Sequence, residues 1–260
     1  GDPDAAWDGL AFLCGLRNLA VHADLLAGLP GVPLEHLSGD LTRLFALGPA
    51  EIQLETLKRL PGTPLCGRAD RLGLVFAPDP PYEVLRSDAM SAADLDRARL
   101  LSRLVDAYYN DPRLQPVLRR TVAAAPAFMS WLLDALVADG AAGQPASLEN
   151  RFRALAACAQ AHALPEVTDS IRYQWFRHGL PAGRPEEGSR PWKGALPDGL
   201  LCIEGNEETA RSLRRPRVWM VSIAGRPHWF VYGPPDSAGH QACAVFANSA
   251  VPAPAADIAR

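Results

Sequence analysis

The chain has 260 residues, 48% of them hydrophobic, and a formal charge of −3 from 26 basic and 29 acidic side chains. That is enough apolar material for one large or two small cored domains, while the near-neutral balance gives no electrostatic case for nucleic acid or an anionic membrane as partner. No run approaches the roughly 20 apolar residues that a membrane-spanning helix needs. The five cysteines (Cys14, Cys66, Cys158, Cys202 and Cys243) are far apart and odd in number, which fits scattered reduced thiols and no metal site. With no secretory pattern at the start, a cytoplasmic protein is expected.

In chain order, Ala5–Arg17 has helical character, with Trp7, Leu10, Phe12 and Leu13 apolar, and is expected to cover a sheet. Asn18–Ala27 (NLAVHADLLA) then reads as a strand, ended by the Gly28-Leu29-Pro30-Gly31 turn. Side chains alternate along a strand, so Val21, Ala23 and Leu25 share one face and His22, Asp24 and Leu26 the other. Pro33 suits the start of a helix with Leu37, Leu41, Leu44 and Phe45 at helical spacing, stopped by Gly48-Pro49. Glu51–Leu57 (EIQLETL) alternates again, Ile52, Leu54 and Thr56 against Gln53, Glu55 and Leu57. This is a βαβ unit, the repeating piece of a parallel sheet or (β/α) barrel. It predicts adjacent parallel strands with Asp24 and Gln53 on one side of the sheet. Parallel strands are ordinarily apolar on both faces, yet both strands here carry polar residues on one. Either a strand edge reaches solvent, or the residues belong to a barrel lumen or strand-end site, where barrel chemistry collects.

Lys58–Arg71 breaks periodicity at Pro61-Gly62 and Pro64 and carries Lys58, Arg59, Arg68 and Arg71. These are solvated loop charges or contacts for an anionic substrate. Cys66 has no histidine near it in sequence and reads as incidental. Leu72–Ala77 is a short strand, Pro78-Asp79-Pro80-Pro81 a rigid turn, and Tyr82–Leu85 extended, with Glu83 facing solvent or hydrogen-bonding locally. Ser91 and Asp94 form a capping box for a helix with Leu95, Ala98, Leu101, Leu104, Val105 and Tyr108 on one face, ending at Asn110-Asp111-Pro112. Further helices are expected around Leu114–Leu118, from Pro126 to Asp139-Gly140, from Ser147, and over Glu166–His178, and their apolar stripes read as core. Gly179–Gly199 is dense in glycine and proline and reads as a linker. Arg217–Ile223 and Pro227–Tyr232 form a hairpin around Ala224-Gly225-Arg226, with Ala242–Ala247 as a third strand. Trp219, Trp229, Phe230 and Tyr232 either make a stacking platform or pack on helices. Val251–Arg260 is expected to fray.

Several of these segments resemble a known family. HADLLAGLPG, a helix, and then EIQLETLKRLPGTPL resemble the last third of a radical S-adenosylmethionine (SAM) barrel. Pro80-Pro81-Tyr82-Glu83-Val84-Leu85 and the helix from Met90-Ser91 to Ala107-Tyr108-Tyr109-Asn110 are similar to the helical extension of its cobalamin-dependent branch. The likeness covers about residues 18–115, extends over 116–178 by helical pattern alone, and stops there. It implies an α/β plus all-α architecture: C-terminal βα units of a partial TIM-type radical SAM barrel over 1–77, a helical extension domain over 78–178, the linker 179–199, and a small β-rich tail over 200–260.

The resemblance also implies a [4Fe–4S] cluster, S-adenosylmethionine and, in that branch, cobalamin in the full-length protein, serving radical methylation, ring closure or rearrangement at unactivated carbon. On that footing Asp24, Gly28, Pro30, Gly31 and Gln53 are the cofactor-binding set, and His22, Glu55 and Lys58 face a small-molecule substrate. No catalytic residue is assigned. The Cys-x-x-x-Cys-x-x-Cys motif of such enzymes does not occur in this sequence, so the cluster is expected on an N-terminal remainder of the same polypeptide and not on this chain. Glu55 stands where the family pattern suggests a small residue, which leaves the substrate open. Two readings from other classes stand beside this one: a non-catalytic binding or partner module, and a barrel hydrolase or lyase fragment using Asp24 and Glu55 as an acid/base pair.

Overall fold

A computed structural model describes residues 2–16, 18–180, 189–214, 216–237 and 241–248 of the chain. It places them in two compact units, Gly1–Pro145 and Ala146–Arg260.

The first unit is built on β1 (His22–Ala27) and β2 (Glu51–Thr56), joined by helix α2 (Leu34–Leu47). The strands pair in parallel, with His22 opposite Glu51, Asp24 opposite Gln53 and Ala27 opposite Thr56. The expected register therefore holds, and Asp24 and Gln53 share a face. The apolar stripe of α2 buries Leu37, Leu41, Leu44 and Phe45, and the helix ends at the left-handed Gly48, the usual C-terminal device. Preceding the sheet, α1 (Pro3–Cys14) is capped by Asp2 but buries no residue. It does not cover the sheet as its apolar residues suggested. It lies along α2, with the Arg43 guanidinium 4.2 Å from the Trp7 ring centroid, and leaves Phe12 68% exposed.

After β2 the chain makes two short 3-10 turns, Cys66–Arg68 and Asp70–Leu72, then the antiparallel pair β3 (Val75–Phe76) and β4 (Val84–Arg86). Helix α3 (Ala92–Leu104) starts with the full Ser91/Asp94 capping box and runs into a π-helical turn, Val105–Tyr109. Helices α4 (Gln115–Ala124) and α5 (Phe128–Ala138) complete the unit. The end of the π turn clamps β2. Tyr109 donates to Pro49 O at 2.7 Å and stacks on Phe45 with ring centroids 4.8 Å apart. Asn110 meets both backbone groups of Ile52, accepting from its N–H at 3.0 Å and donating to its carbonyl at 2.9 Å. One side-chain amide thus does at Ile52 what a neighbouring strand would do.

In the second unit, α6 (Leu148–Ala161, capped by Ser147) and α7 (Pro165–Arg177) precede a five-stranded antiparallel sheet. Its strands are β5 (Ser189–Pro191), β6 (Leu201–Glu204), β7 (Arg217–Ile223), β8 (Arg226–Pro235) and β9 (Gln241–Ala247), in the order β5-β7-β8-β9-β6. A short helix, α8 (Glu207–Ser212), lies between β6 and β7. One sheet face packs Val221, Ile223, Phe230 and Val245 with Tyr173 and Phe176 of α7. The other buries Val218, Trp229, Val231 and Phe246 with Leu200 and Ala210. The aromatics of the hairpin are therefore core, not a stacking platform.

Three expectations change here. The units divide after Pro145, so the helices expected as one domain over 78–178 are shared, α3–α5 in the first unit and α6–α7 in the second. The stretch read as a linker contains β5, and the tail is a five-stranded sheet in place of a hairpin with one added strand. The hairpin turn is the two residues Ala224 and Gly225, both at positive φ, with Ile223 opposite Arg226, the primed type that matches strand twist. Residues 181–188 of the linker and the tail Val251–Arg260 lie outside the described residues.

The second unit carries a titrating group with a predictable effect. His228, 6% exposed, donates its Nδ1–H to the Arg226 carbonyl, 3.0 Å away, and meets the Tyr173 ring edge-on at 6.2 Å between centroids. Burial is the main cause that holds its pKa below the ordinary value; the Arg226 charge acts in the same direction, while its bond to the Arg226 carbonyl and the Asp169 charge oppose. The folded unit thus keeps the imidazole neutral while the unfolded chain takes up a proton below about pH 6.5. Stability is fully present above that value and declines as pH falls toward the depressed folded pKa. Denaturant midpoints of the second unit between about pH 7.5 and about pH 5 should fall with acid in the native chain and flatten in His228→Phe. An unchanged slope in the variant would assign the acid sensitivity to other groups.

Candidate functional site

Alternation sorts β1 and β2 into two different surfaces. Ala23, Ala27, Ile52 and Leu54 are buried on the side backed by α2 and α3. On the opposite side His22, Asp24, Gln53 and Glu55 are exposed, and Leu26 is 41% exposed among them. A parallel sheet usually has helices over both faces; among the described residues this one has them over one. Beyond β1, no strand pairs with its second edge among the described residues. The outer edge of β2, by contrast, is closed by Asn110 at Ile52 and by Val84, whose N–H donates to Leu57 O at 2.8 Å.

The polar side chains of the bare face form a linked row. His22 Nδ1 lies 3.2 Å from Glu51 Oε2, Gln53 Nε2 donates to Glu51 Oε1 at 3.2 Å, and Lys58 Nζ donates to Glu55 Oε2 at 2.9 Å. That bond is the main cause that holds the Lys58 ammonium above its ordinary pKa. Glu55 serves as counter-ion to Lys58. Glu83, near Lys58 across an isolated bridge, pairs with Arg99 at 3.4 Å. Of the loop cations, Arg59 Nε is engaged by Cys66 Sγ at 3.1 Å, while Arg68 and Arg71 are exposed.

The structure gathers His22, Asp24, Gln53, Glu55 and Lys58 along one face but divides them along its length. Lys58 and Glu55 sit at the C-terminal ends of the strands, Asp24 and Gln53 in the middle, and His22 at the N-terminal end. His22 is therefore at the wrong end for barrel chemistry. Gly28 departs from the expectation entirely. It is buried at φ +87, and a Cβ there would sit 2.5 Å from Val84 Cγ1 and 3.2 Å from Leu95 Cδ2. Its missing side chain makes room for β4 and α3, not for a ligand. Gly31 donates its N–H to Asp88 Oδ1 at 3.0 Å, and Pro30 is a half-buried turn residue beside it.

Sequence reading missed Glu51, which ties His22 to Gln53, and the clamping role of Tyr109 and Asn110. Burial pushes the thiols of Cys158 and Cys243 up to about 11 and about 12, which suits inert core cysteines. Among the described residues no group of three or more His, Cys, Asp or Glu side chains is placed to hold a metal ion, and no single helix is long and apolar enough to cross a membrane.

Residues 70–190 match the model of a family described as "Protein of unknown function (DUF4080)". No curated protein and no solved structure matches the chain. The matched stretch begins after β2 and ends at β5. It contains Tyr109 and Asn110, which clamp the sheet, and leaves the bare face outside it.

Proposed function

We propose that the first unit is the closing βα part of a radical S-adenosylmethionine barrel and that the bare β1–β2 face lines the chamber where cofactor and a small-molecule substrate meet. The observation that supports this reading is the one-sided parallel sheet: helices on one face, polar side chains on the other, and an open β1 edge. In a barrel the helices form the outer wall and the opposite face is the interior. The open edge suits further parallel strands from an N-terminal remainder of the same polypeptide. The DUF4080-matching stretch holds the PPYEVL and YYN segments, which resemble the extension of the cobalamin-dependent branch.

The residues of this chain do not fit an iron–sulfur cluster, since the described cysteines gather into no ligand group, and no step through a cluster or a corrinoid is derived from them. They do fit S-adenosylmethionine. Asp24 and Gln53, side by side and exposed, offer acceptors and donors suited to ammonium and hydroxyl groups. When bound, S-adenosylmethionine supplies the sulfonium centre for radical chemistry at unactivated carbon. The chain's own contribution is to bind and orient. Asp24 accepts from N–H or O–H groups, Gln53 is held in place by Glu51, and Lys58, with Glu55 as counter-ion, presents a cation at the strand ends to an anionic substrate. Gly28 drops out of the binding set.

The test uses the full-length protein. Asp24→Ala should weaken S-adenosylmethionine binding in calorimetry by roughly tenfold, the worth of one charge-assisted hydrogen bond, with little change in melting temperature because the side chain is exposed. Lys58→Ala should raise KM for substrate and leave cofactor affinity intact. Unchanged cofactor affinity in Asp24→Ala would end the assignment of this face.

A further inference from the structure

We draw no further inference here: the strongest candidate, the exposed apolar face that Phe12 and Leu13 give α1 in the first unit, carries nothing because nothing in the structure shows what covers it.

Discussion

Gly28→Val is expected to destabilise the first unit by about 2–5 kcal/mol, whatever it does to any ligand. Two costs combine. A Cβ at this position would lie 2.5 Å from Val84 Cγ1, with φ at +87. Overpacking of this kind costs typically about 1–3 kcal/mol, and a β-branched residue in the left-handed region adds about 1–2 kcal/mol. Val84 cannot step aside easily, because it is fully buried and its N–H is bonded to Leu57 O. Urea denaturation should show the loss as a lowered midpoint at constant slope. Gly31→Ala is the control: nothing lies within 4 Å of its Cβ, so only the positive-φ cost of about 1 kcal/mol applies. The clash is also testable by coupling. Gly28→Ala combined with Val84→Ala should lose less stability than the sum of the single changes, because shortening Val84 relieves the contact. Equal losses at Gly28 and Gly31, or strict additivity with Val84, would show that packing against β4 is not what Gly28 provides.

The contrast between Gly28 and Asp24 marks how far this sequence can be read. Period-two alternation placed Asp24 beside Gln53 correctly, since both strands had to turn the same set of side chains toward the helices. Helix starts with a chemical signature, Ser91 with Asp94 and Ser147, were legible for the same local reason. Gly28 in a strand-to-helix turn looked the same whether it admitted a ligand or a neighbouring side chain. The residues that decide it, Val84 and Leu95, come from far along the chain. In α1, apolar Trp7, Phe12 and Leu13 suggested a covering helix, but a stripe does not name its partner, and the helix lies on α2 with Phe12 in solvent. β5 and β6 have three and four residues in a Gly/Pro-rich neighbourhood and exist only through pairing with β7 and β9, which local propensity cannot supply. The division after Pro145 was hidden similarly, because helical pattern runs on both sides of it while the packing partners differ.

Asn110→Ala is expected to remove about 2–4 kcal/mol from the first unit and to expose one particular amide. The Asn110 side chain satisfies both the N–H and the carbonyl of Ile52, a residue with no exposure at all. Alanine provides neither partner, and each backbone group left unsatisfied in a buried place costs about 1–3 kcal/mol, less whatever water recovers. Tyr109, bonded to Pro49 O, stays in place and keeps the helix on the sheet, so the damage is local and the unit remains folded near room temperature. Hydrogen exchange should therefore show the Ile52 amide losing protection well beyond the global destabilisation, while amides of α3 follow the global value. Asn110→Asp sharpens the test. Its carboxylate still accepts from the Ile52 N–H but sets an oxygen against the Ile52 carbonyl and beside Asp106, to which the native amide donates at 3.1 Å. At neutral pH this variant should be at least as unstable as the alanine one. It should recover part of the loss below about pH 4, where a protonated carboxyl can donate to the Ile52 carbonyl. The sign follows from linkage: a group whose folded pKa is raised contributes stability that is lost as pH rises through that pKa. Full protection of the Ile52 amide in Asn110→Ala, or an aspartate variant whose stability relative to the native chain does not improve on acidification, would show that the clamp is not what holds β2 to the helical part of the unit.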